Sequence, residues 1–159
     1  MKSKWMMAIV CVAMCALVAC KDSKKDEPEN PQPSQPTSTD INGNKTRPSW
    51  AVPDEYDYTS SMTAVIRIEK LAGKTIAETD VTEDDLLAAF AGDSCLGVTT
   101  PQEGLFFLYI CGTEGDVSLR YYSAHYKNIF EQTAAFPFKN DTQKGTVSDP
   151  YVPEMVVKQ

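Results

Sequence analysis

The chain holds one histidine, His125, set between aromatic residues in Tyr121-Tyr122-Ser123-Ala124-His125-Tyr126. A histidine beside a serine or cysteine would suit nucleophilic catalysis, but no Ser or Cys has an identifiable base partner at short range. Carboxylates are the other candidate acid–base groups. Asp80, Glu83, Asp84 and Asp85 crowd one stretch, and paired carboxylates carry out glycoside hydrolysis. The same four residues also read as the solvated approach to a strand. Their run lacks the Asp-x-Asp-x-Asp-Gly spacing of a calcium loop, and no glycine-rich phosphate cradle or metal motif is present. Cys95 and Cys111 have no histidine nearby, and structural zinc takes four ligands. The expectation is a protein without catalysis, metal or cofactor.

Recognition by flat rings is a second chemistry. Trp50, Tyr56 and Tyr58 precede the first predicted strand; Tyr122, His125 and Tyr126 gather near one loop. Rings with a polar edge suit sugar faces and protein interfaces, so these six are candidate ligand contacts. Core filling or strand-edge packing is the alternative for each. Charge narrows the ligand: 15 basic residues face 22 acidic ones, a net −7 at pH 7. Nucleic-acid binding wants a basic stripe, and adhesion to anionic lipid wants basic clusters.

The elements that must position these residues read as strands. Met62, Ala64, Ile66 and Ile68 alternate with Thr63, Val65, Arg67 and Glu69, the period of a half-buried strand. Ala72-Gly73-Lys74 is a turn. Thr82 and Asp85 resemble a helix capping box, yet the apolar run after them stops at Ala91-Gly92-Asp93-Ser94 and another begins at Cys95. A hairpin explains both runs, with room for one helical turn near Glu83. Leu105–Cys111, aromatic, branched and apolar on both faces, is the strongest strand signal.

A second hairpin is expected between 95–100 and 105–111. With a three-residue loop, Gln102-Glu103-Gly104, Cys95 falls opposite Cys111 and Gly97 opposite Tyr109. Directly opposed cysteines can form a disulfide only as a non-hydrogen-bonded pair, so Cys95 and Cys111 are a candidate bridge. A four-residue loop from Pro101 separates them, and two buried thiols packing as small apolar groups is the alternative. Further strands follow at 117–122, 128–133, 136–138 and 151–157, with Pro137 suited to an edge or bulge. Short strands separated by frequent turns predict an all-β fold, a single antiparallel immunoglobulin-like β-sandwich.

The ends of the chain differ from this pattern. Lys2 and Lys4 precede an apolar run, Met6–Val18, too short to span a bilayer, which takes about 20 residues, and of the length of a secretory h-region. Its end, Leu17-Val18-Ala19-Cys20, resembles the lipobox of bacterial lipoprotein precursors. That resemblance implies cleavage before Cys20 and lipidation of it, with residues 1–19 as signal peptide and the membrane as a partner through the lipid. Removing Lys2 and Lys4 leaves 13 basic against 22 acidic residues, near −9. Residues 20–47 are polar, charged and punctuated by Pro28, Pro31, Pro33 and Pro36, with Ile41 the one strongly apolar side chain. Such composition predicts a disordered tether, leaving 48–159 as the sandwich domain. Lys25-Asp26-Glu27 resembles the charged export signal of Bacteroidetes surface lipoproteins, which implies the outer membrane with the domain facing outward; without that signal, the periplasmic face remains.

Asp85-Leu-Leu-Ala-Ala-Phe90, Gly92-Asp-Ser-Cys-Leu-Gly-Val98, Phe107-Leu-Tyr-Ile110 and Leu119-Arg-Tyr-Tyr122 together resemble a β-sandwich module of secreted and surface proteins of the Bacteroidetes. Its usual core reads Ala-Ala-Phe-Val-Gly-x-x-Cys-Arg-Gly-Val; here Leu96 stands in place of the Arg. The resemblance implies a location and a fold, and no catalytic residues. The function expected is a lipid-anchored cell-surface module that binds or adheres to a glycan or protein ligand. The alternative is a structural or accessory subunit of a surface assembly, fimbrillin-like, whose 151–157 strand is donated to a neighbour.

Overall fold

The computed structural model describes residues 40–51, 59–112 and 115–159. Their strands, in chain order, are β1 (Ser60–Ile66), β2 (Lys70–Leu71), β3 (Lys74–Thr75), β4 (Leu86–Ala91), β5 (Ser94–Thr99), β6 (Pro101–Gln102), β7 (Leu105–Gly112), β8 (Asp116–Ser123), β9 (Asn128–Gln132), β10 (Phe136–Pro137), β11 (Gln143–Lys144) and β12 (Met155–Val157). A 3-10 turn at Glu78–Asp80 leads toward β4. The helical turn allowed near Glu83 is not formed; Thr82–Asp85 is a turn that enters the strand.

Two sheets face each other as a β-sandwich, as the strand spacing predicts. One runs β11-β1-β7-β6; the other runs β3-β2-β12-β9-β8-β4-β5, with β10 beside β8. Alternation explains the layers. Met62, Ala64 and Ile66 of β1 and Phe106, Leu108 and Ile110 of β7 point inward against Leu87, Ala89, Leu119, Tyr121 and Phe130 from the other sheet. Most pairings are antiparallel, but two short ones, β11 on β1 and β12 on β2, are parallel. The C-terminal strand is interior, held by β9 on one side and β2 on the other, with Met155 fully buried. Tyr151, expected within that strand, instead makes an isolated bridge to Ile66.

The β4–β5 hairpin forms around Gly92-Asp93, with an irregularity between Ala89 and Phe90. The second expected hairpin is only partly realised. Gln102 pairs with Leu105 and Pro101 with Phe106, closing a two-residue loop. Glu103 and Gly104 both have positive φ, 50° and 75°, as a type I′ turn requires. The three-residue loop that would place Cys95 opposite Cys111 is therefore not used. Pro101 has no N–H to extend the ladder, and the chain before it crosses to the other sheet, where β5 pairs with β4. Gly97 still lies against Tyr109, by packing: a Cβ on Gly97 would stand 2.0 Å from the Tyr109 carbonyl oxygen.

The folded unit begins before residue 48. Ile41 is buried in the core, Gly43 and Lys45 donate backbone N–H to the carbonyls of Tyr126 and Lys127 at 2.9 and 2.8 Å, and the Arg47 guanidinium donates to the Asp84 carbonyl at 3.0 Å. Trp50 then meets Phe90 edge-on at 5.6 Å. Phe90 belongs to the outward-facing row of β4, so this strap covers part of that sheet's outer face. Low hydrophobicity predicts disorder for a segment taken alone; one isoleucine and backbone hydrogen bonds to the turn between β8 and β9 reverse that for 40–47.

Candidate functional site

The predicted ligand contacts scatter. Tyr56, Tyr58 and the lipidation candidate Cys20 lie outside the described residues. Tyr122 is 6% exposed, on the row of β8 opposite the core-facing Leu119 and Tyr121, so it fills rather than binds. Trp50 is half-buried and used up on Phe90, over which the Arg120 guanidinium also lies at 4.0 Å. Only His125 and Tyr126 meet, edge to face at 4.6 Å, at one end of the sandwich.

That end is built around two carboxylates. Asp80, in the 3-10 turn, accepts a hydrogen bond from the Tyr126 hydroxyl at 2.8 Å and from the Ala77 N–H at 2.9 Å; the His125 Nε2 stands 3.9 Å away. The Tyr126 bond first, then the Ala77 bond, holds the Asp80 carboxyl below its ordinary pKa. Burial, then the bond to Asp80, pushes the Tyr126 hydroxyl up to about 12. Both groups are thus committed to each other at neutral pH.

Asp85 does something else. It is fully buried, and it accepts from the Tyr121 hydroxyl, the Ala124 N–H at 2.8 Å and the Thr82 hydroxyl at 3.0 Å. Burial, and then the Asp85 charge, drives the Tyr121 hydroxyl far above its ordinary pKa. The solvated-approach reading therefore fails for Asp85 and holds for the exposed Glu83 and Asp84. Asp85 ties β4, β8 and the turn after β8 together.

Beside this end, a cleft of about 340 Å³ is bordered by Arg67, Glu69, Glu78 and Glu103 over the apolar Ile68, Ile76 and Val81. Arg67 and Glu69 stand 4.0 Å apart, both largely solvated, a geometry worth little energetically. Among the described residues, no group of three or more His, Cys, Asp or Glu is arranged to hold a metal ion.

Cys95 and Cys111 are thiols, not a disulfide. Cys95 stands opposite Phe90 in one sheet and Cys111 opposite Ser61 in the other, because β5 left β7 for β4. Burial pushes the Cys95 thiol up, away from the reactive thiolate.

His125 is exposed, and a second ring surface open to solvent lies elsewhere. Phe107 and Tyr109 of β7 are 41% and 48% exposed, side by side on the outer face of the four-stranded sheet. With Thr63, Val65 and Gln143 from β1 and β11 they border a shallow groove of about 280 Å³. Sequence reasoning set Gly97 opposite Tyr109 but took 105–111 as apolar on both faces, and so passed over Phe107 and Tyr109 as ligand contacts. The signal was alternation itself: if Phe106, Leu108 and Ile110 face the core, Phe107 and Tyr109 face outward. No protein-family model matches the chain, and neither a curated protein nor a solved structure matches it.

Proposed function

We propose that this chain is a lipid-anchored, non-catalytic binding or adhesion module of the cell surface, an immunoglobulin-like sandwich of the kind found in surface proteins of the Bacteroidetes. Lipid on Cys20 holds it to the outer membrane, the polar stretch after it acts as tether, and the domain faces outward. The single observation that carries the binding reading is the exposure of Phe107 and Tyr109 together. Isolated apolar residues at a surface need no explanation; two adjacent rings beside a groove are the usual material of a ligand surface. The packing of Trp50, Tyr122 and Tyr126 against their own domain moves the candidate contact to this face.

A fimbrillin-like subunit is the other reading. What favours the module is the use of the C-terminal strand, which is paired on both sides within its own sheet. Fatty-acid labelling of wild type and of Cys20→Ser tests the anchor, with label and membrane retention expected in the first alone. Protease shaving of intact cells tests the outward face. Binding is tested by attachment of cells displaying the chain to surfaces coated with mucin or extracellular-matrix protein. Attachment that requires the chain and falls with Phe107→Ser plus Tyr109→Ser at equal display is expected. Attachment equal with and without the chain would sink the reading.

A further inference from the structure

We infer that the outer face of the four-stranded sheet is a groove for an uncharged glycan chain, with Phe107 and Tyr109 as its floor. This rests on the binding-module reading and names the ligand class. Two residues apart on one strand, the rings share a face and lie about 6.8 Å apart along it. The groups beside them are the Thr63 hydroxyl, the Gln143 amide and the phenol of Tyr109. All can form hydrogen bonds and none is a carboxylate, ammonium or guanidinium, although the chain as a whole carries −7. An anionic chain finds no cation in this groove, and a basic peptide finds no carboxylate. Charge complementarity selects a neutral occupant. A sugar ring has an apolar C–H face and a rim of hydroxyls, which matches apolar ring surface bordered by neutral donors and acceptors.

Size selects in the same direction. Seven residues from three strands line the groove, whereas a stable protein interface engages about 20–30 residues a side. Its volume of about 280 Å³ is just under the range of small-ligand sites, about 300–1,000 Å³, and its shallowness suits a chain that passes across rather than one enclosed. The other sheet contrasts with this: its outward row at Phe90 is covered by Trp50 and Arg120, so among the described residues one outer face has a covering strap and the other has none.

The test uses the whole chain in mild detergent, with pull-down and affinity electrophoresis against cellulose, xylan, mannan, β-glucan and starch, and against pectin, heparin and chitosan as charged probes. Retention by at least one neutral polysaccharide is expected, undiminished by high salt. Phe107→Ser and Tyr109→Ser should each weaken it roughly tenfold or more, with cooperative melts retained and lowered only by the part of each ring that packs on the sheet. Val147→Ser, an exposed apolar residue elsewhere, should leave retention unchanged. Retention by charged probes alone, neutral retention that both variants keep, or a concentration-dependent dimer that both variants dissolve overturns the glycan assignment. If no polysaccharide is held but a matrix protein is held through the same two residues, the glycan class falls and the binding module stands. Retention of neither overturns both.

Discussion

Asp80 and Asp85 are five positions apart in one acidic stretch, yet one is a surface clasp for Tyr126 and the other a buried anchor for Tyr121, Thr82 and Ala124. Residue type did not separate them; their places did, Asp80 in the 3-10 turn and Asp85 in the turn that enters β4. The clasp has a pH signature. The Tyr126–Asp80 bond needs an ionised carboxylate and a neutral phenol. Its contribution to stability is complete above the ordinary carboxylate range, about 3.9, and below the ordinary tyrosine range, about 10. It is lost as pH falls through the lowered pKa of Asp80 and as pH rises through about 12, where Tyr126 ionises. Titration of tyrosinate absorbance in the native pH range should show this group, absent in Tyr126→Phe. Asp80→Ala should move it only partway toward 10, because burial is the larger cause. An unmoved titration in Asp80→Ala would show that the hydrogen bond has no part in it. The capping-box pattern at Thr82 and Asp85 was legible as a local hydrogen-bond pair. That the carboxylate also takes up Tyr121 and Ala124, some 36 and 39 positions away, was not, since nothing local encodes a distant donor.

Strand existence was legible from alternation in β1, from the apolar run of β7 and from the glycine-centred turn of β4–β5. Partner choice was not. Both candidate loops from Gln102 or Pro101 to Gly104 presumed that the strand before the turn stays with β7, whereas Pro101 ends that ladder and β5 joins β4. The close approach of β5 to β7 depends on the missing side chain at Gly97. Gly97→Ala places a methyl 2.0 Å from the Tyr109 carbonyl, and backbone must move to admit it. A loss of about 2–3 kcal/mol in urea unfolding is expected, with faster amide exchange in β5 and β7 than in β9. Wild-type stability in this variant would mean that the two strands are not held at that distance. The same crossing is why the cysteines stand in different sheets, so a bridge inferred from register alone could not survive a change of partner.

At the level of the whole molecule, the strap at 40–51 and the interior C-terminal strand turn a set of short strands into one unit. Ile41→Ala should cost about 2–5 kcal/mol, as deletion of a buried aliphatic side chain does, and a chain beginning at residue 48 should unfold at lower urea than one beginning at residue 40. Equal midpoints would place Ile41 outside the cooperative unit. Periodicity, turn chemistry and composition act over a few residues, and they sufficed for an all-β chain, for most of its turns and for the expectation of a two-sheet sandwich. They also isolated Ile41 as the one apolar residue in a polar tract, without saying where it goes. Which strand joins which sheet, which row of side chains is covered and which is left open depend on contacts between residues far apart in the chain. Phe107 and Tyr109 are neighbours of core residues and differ from them only in facing away from the other sheet, and that difference exists only once both sheets have closed.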